Sequence, residues 1–147
     1  MRSLIVYAAT WSVINLVEFI LFQSQNTQII YECEELYSAI GVGSVVCFLS
    51  AIMWYTIAML CFYNKFDTLA CLFVIQFLVI GIFAGFESNI HITCKNEYVV
   101  RLFSWQFFSL LISFAAVIVG ACLMSVSIQE FPDMREFQEL QNEENNV

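Results

Sequence analysis

One carboxylate sits well inside an apolar run of this chain. Glu18 follows Ser12 and Asn15 at three-residue steps, which place all three on one face of a helix. A proton or cation relay through a membrane would use such a stripe, since an ionisable group is expensive there and is a functional candidate by default. The plainer reading lets Glu18 snorkel to the outer interface, within a turn, or stay protonated, while Asn15 hydrogen-bonds a neighbouring helix. Gln76 and Gln106 stand in two further apolar runs and fit interhelical hydrogen-bond clasps, which contribute about 0.6 kcal/mol on average. No basic residue lies inside any run to pair with Glu18.

Other chemistries lack their residues. His91 is the one histidine and falls between apolar runs, so bis-histidine haem ligation is excluded. No two cysteines have the CxxC spacing of a thiol oxidoreductase, and HExxH, GxSxG and P-loop patterns are missing. Cys47, Cys61, Cys71 and Cys122 lie in apolar stretches and read as small packing residues. No catalytic residue, metal ligand set or cofactor is expected, and the chain reads as a non-enzyme.

The elements that must position these residues follow from composition. The chain has 147 residues, 61% hydrophobic and 12% charged, against about 25% charged in an average soluble domain. A small soluble fold cannot hide that much apolar surface, whereas a bilayer can act as its solvent. Four segments reach the length needed to cross roughly 30 Å of hydrocarbon: 4–22, 38–63, 69–86 and 102–126. The expected fold is an all-α, four-helix transmembrane bundle over 1–126, followed by an acidic tail over 127–147. Proline is absent from all four spans, so no sharp kink is signalled. The connections (23–37, 64–68 and 87–101) are too short to form a domain.

Charge and cysteine placement give the topology. The net charge is −8, with six of the thirteen acids in the last 18 residues. Only five basic residues occur, which argues against nucleic acid as a partner. Arg2, Lys65 and Arg135 fall on one side of the expected membrane and Lys95 and Arg101 on the other, a slight excess for an N-in, C-in arrangement. Loops one and three share a face and carry Cys33 and Cys94, candidates for a disulfide on an oxidising side. The alternative is two unrelated thiols. A plasma or endomembrane location is favoured, with the mitochondrial inner membrane as the alternative.

Small residues mark packing faces. Gly81 and Gly85 form a GxxxG step in the third span; Gly43, Cys47 and Ala51 repeat the spacing in the second. Ser109 with Ser113, and Ala116 with Gly120, do so in the fourth. Fifteen phenylalanines, six tyrosines and three tryptophans supply ring-filled contacts to helices or lipid. In the tail, Phe131-Pro132 ends the membrane segment, and Met134, Phe137 and Leu140 would share one face of a short docking helix. The alternative is a solvated acidic tail.

The topology resembles that of small MARVEL-type tetraspans in its short loops and in both ends lying on the cytosolic side. The resemblance is architectural and rests on no motif. A claudin-like long first loop and a tetraspanin-like Cys-Cys-Gly loop are both missing. The favoured function is a non-catalytic accessory subunit of a larger membrane complex, a channel or receptor or a respiratory-type assembly. Its expected partners are other integral membrane subunits and the lipid bilayer. One alternative is a transporter or channel working as a homo-oligomer, with Glu18 and Asn15 in its path. Another is a MARVEL-like membrane-organising tetraspan acting through contacts with itself.

Overall fold

A computed structural model describes residues 2–29, 33–63, 65–90 and 94–129. Its elements are four helices: α1 (Arg2–Ile29), α2 (Glu34–Phe62), α3 (Phe66–Ser88) and α4 (Glu97–Gln129). Each contains a stretch long and apolar enough to cross a membrane. The helices outrun the apolar segments because polar residues at their ends continue the backbone ladder. α1 carries on through Gln23-Ser24 to Ile29, and the third helix ends at Ser88, which brings Glu87 into its last turn. The tail residues Met134, Phe137 and Leu140 lie outside the described residues.

Local chemistry sets several helix ends. Asn96 Oδ1 accepts from the Tyr98 amide at 3.0 Å, an N-cap that starts α4. At the end of α3, Ser88 Oγ and Asn89 Nδ2 both donate to the Gly85 carbonyl, at 2.8 and 2.9 Å. α2 closes with Tyr63 N donating to Met59 O and Lys65 N to Leu60 O, so the turn into α3 is tight.

The four helices run up and down in sequence order. α1 and α3 each pack against both α2 and α4, with α1 on α2 the most extensive pair. α2 and α4 also touch across the bundle. Two apolar clusters result. One fills the end near the N-terminus, around Leu4, Ala8, Trp54, Ile57, Leu69 and Val117. The other lies under the first and third loops, around Phe22, Leu36, Ile40, Val99 and Phe103. Cys33 and Cys94 form a disulfide over this second cluster, with Cα atoms 5.7 Å apart.

Candidate functional site

Side chains from all four helices make a polar interior that reaches from beside the first apolar cluster to the disulfide end. On α2, Ser44, Cys47 and Ser50 repeat every three residues and are buried. On α1, Asn15 is buried, with Ser12 and Glu18 half-buried on the same face. α4 adds Gln106, Ser109 and Ser113, and α3 adds Gln76 and Glu87, all buried. The three- and four-residue steps turn each set toward the bundle axis.

Hydrogen bonds tie the layers together. Glu18 accepts from the Ser109 hydroxyl across α1 and α4. The Cys47 thiol lies 4.0 Å from the second Glu18 oxygen. Gln76 Nε2 donates to Ser50 Oγ at 3.0 Å, and Gln106 Nε2 to the Ile40 carbonyl at 3.2 Å, so both glutamines bridge to α2. Ser44 Oγ reaches Gln23 Oε1 at 3.3 Å. Asn15 was expected to bond a neighbouring helix. Its Nδ2 instead donates to the Trp11 carbonyl of its own helix at 2.7 Å, a local partner one turn back. The bond from this face to α2 comes from Ser12, whose hydroxyl donates to the Ala51 carbonyl at 2.8 Å.

Glu87 is a buried acid that sequence reasoning placed in a loop. It is 2% exposed, and neither carboxylate oxygen has a hydrogen-bond partner among the described residues. Gln76 Oε1 and Gln106 Oε1 are likewise buried and unpaired. The available signal was spacing: Gln76, Ile80, Phe83 and Glu87 follow steps of four, three and four, one inward stripe.

An aromatic layer closes this interior on the N-terminal side. The Trp54 ring stands edge-on to Tyr7 and Phe73, with centroids 5.7 and 5.8 Å away. The Tyr7 hydroxyl donates to the carbonyl of buried Ala116 at 2.8 Å, fixing α1 on α4. Gly120 admits the rings: a Cβ there would meet Phe73 Cε1 at 2.9 Å and Trp54 Cη2 at 3.0 Å. Gly43 plays the same part higher up, where a Cβ would overlap the Gln106 amide.

The third-span glycines are different. Among the described residues, a Cβ at Gly81 would meet only a Phe114 ring carbon at 3.5 Å, and at Gly85 nothing within 4 Å. Gly85 is exposed, and with Val74, Leu78 and Gly81 it follows steps of four, three and four on one face of α3. That face borders an open apolar groove of about 380 Å³ between α3 and α4, lined by residues that include Val74, Leu78, Ile118 and Cys122.

No protein-family model, curated protein or solved structure matches this chain.

Proposed function

We propose that this protein is a non-catalytic accessory subunit of a larger membrane assembly. The observation that carries the reading is the outward-facing Gly85. Glycine in a helix interior is less favourable than alanine by about 0.8–1.0 kcal/mol. At Gly43 and Gly120 close packing within the bundle offsets that cost; a Cβ at Gly85 would meet no atom of the described residues within 4 Å, and the only side chains shown on its carbonyl are Ser88 and Asn89 at the same helix end. A helix from another protein, approaching closely over the Gly81–Gly85 notch and along the α3–α4 groove, supplies the missing contact. Large exposed side chains nearby, Ile82 and Phe86 on α3 and Trp105 and Phe108 on α4, give that partner apolar and aromatic surface to grip.

The four helices cross the bilayer with both ends on the cytosolic side. The Cys33–Cys94 disulfide supports this orientation, because such bonds persist on the oxidising side of a membrane. The acidic tail then faces the cytosol, where Met134, Phe137 and Leu140 dock on the host. The aromatic layer of Tyr7, Trp54 and Phe73 also favours a subunit over a pore, since it closes the polar interior on the N-terminal side.

The test is quantitative capture of the tagged protein from its native membrane, wild type against Gly85→Leu. The variant retains its fold, as judged by its thermal transition in detergent, and loses its membrane partners at least tenfold. Full retention of those partners by a folded Gly85→Leu chain would remove the notch as the contact.

A further inference from the structure

The four free cysteines divide by position. Cys47 and Cys61 are buried, as cysteines in a packed fold usually are. Cys71 and Cys122 are exposed, which departs from the packing role that their apolar context suggests. Both exposed thiols also fall at one end of the bundle. Cys71 lies three residues into the candidate span that starts at Thr68, and Cys122 lies five residues before the span that ends at Ser127. At a rise of 1.5 Å per residue they sit about 4.5 and about 7.5 Å inside those span ends. The same end carries the start of α1, and the disulfide closes the opposite one.

A second observation joins Cys122 to a hydrocarbon ligand. Its side chain is part of the wall of the open groove of about 380 Å³ between α3 and α4. The other walls are almost wholly apolar, with Val74, Phe77 and Leu78 on α3 and Val117 and Ile118 on α4. From Val117 to Ser125 the groove follows α4 for about 12 Å. A flexible alkyl chain laid along the helices fits such a trough, with its polar end directed to the nearby interface. Cys71 stands one helical turn before Val74, so the second thiol lies next to the same groove.

We propose that Cys122 and Cys71 are S-acylated by a long-chain acyl thioester of coenzyme A, and that the chain on Cys122 occupies the α3–α4 groove. The inference rests on the orientation argued above, which puts this end of the bundle at the cytosolic face, where acyl donors are found. The cysteine sulfur, as thiolate, attacks the acyl carbonyl. A carbon–sulfur bond forms to Cys Sγ, the one to coenzyme A breaks, and coenzyme A leaves as the thiol with the proton that the cysteine gave up. Hydrolysis of the thioester restores the cysteine, so the modification is reversible, as at other cysteines beside a membrane surface. Free lipid tails also visit the groove, but a chain tethered to its wall has a far higher effective concentration there. Val74 and Leu78 share the α3 face of Gly81 and Gly85, so the acyl chain lies against the surface offered to a partner helix.

The test feeds the native cells a fatty acid carrying an alkyne and a photoreactive diazirine, then captures the tagged full-length chain. The expected result is a label that neutral hydroxylamine removes, kept in Cys61→Ala and reduced at least tenfold in the double variant Cys71→Ser, Cys122→Ser. Mass spectrometry of the wild-type peptides reads the same sites without substitution. Irradiation is expected to join the Cys122 peptide to the α3 peptide that holds Val74 and Leu78; crosslinks to lipid alone would overturn the groove as the seat of the chain. Protease access to a C-terminal tag on sealed vesicles reads the orientation separately. A folded chain with its tag on the cytosolic side and no acyl label would overturn the acylation and leave the orientation standing. A tag on the opposite side would remove the orientation, and the acyl sites with it.

Discussion

Glycine has two different uses in this chain, and substitution separates them. At Gly120 the nearest atoms belong to rigid rings of Phe73 and Trp54, which cannot move aside without disturbing the aromatic layer. Gly120→Leu is predicted to destabilise the isolated protein by about 1–3 kcal/mol, the usual cost of overpacking a core. Gly85→Leu is predicted to leave the isolated protein no less stable, and to stabilise it by up to about 0.8 kcal/mol, because leucine favours the helix over glycine and no packing is lost. Thermal unfolding of the two variants in one detergent checks both; equal losses would mean that Gly85 is packed within the bundle. Residue roles were only partly legible in the sequence. The unusual residues Asn15, Glu18, Gln76 and Gln106 stand out against an apolar background. Which side they face does not, because a helix apolar all round has no polar face to mark its outside. Glu87 was missed because it follows the apolar run, where an acid ordinarily marks the start of a loop.

At the scale of elements, the existence of four helices could be read from hydropathy and length alone, whereas their ends could not. Polar residues such as Gln23 and Ser24 belong to α1, since a helix continues past the apolar stretch until capping chemistry stops it. The disulfide ties the start of α2 to the segment entering α4 across 61 residues. Closing a loop of that length stabilises a folded chain by up to about 4 kcal/mol on the chain-entropy account. The double variant Cys33→Ser, Cys94→Ser is therefore predicted to unfold at lower temperature than the oxidised wild type, and reductant should lower the wild type to the same value. An unchanged transition in reductant would show that the apolar cluster beneath the bond holds this end by itself. The pairing was legible because both loops must share a face in any chain with an even number of spans.

At the scale of the whole molecule, the bundle has a polar interior closed by an aromatic layer on its N-terminal side, and the sequence showed its residues but not how they meet. Their meeting depends on register between helices distant in sequence, such as Glu18 with Ser109 and Gln76 with Ser50. One consequence concerns conduction. With Tyr7, Trp54 and Phe73 packed across the interior, the chain alone is predicted to pass no ions in liposomes. Sustained flux from the purified chain, abolished by Glu18→Gln, would restore the channel alternative. The central claim remains that this molecule works as part of a larger one. The most direct test is the native mass of the endogenous protein in mild detergent, with identification of whatever co-migrates. The account predicts a particle that contains defined, different membrane proteins in fixed ratio to this chain; a particle of this chain and lipid alone would contradict it.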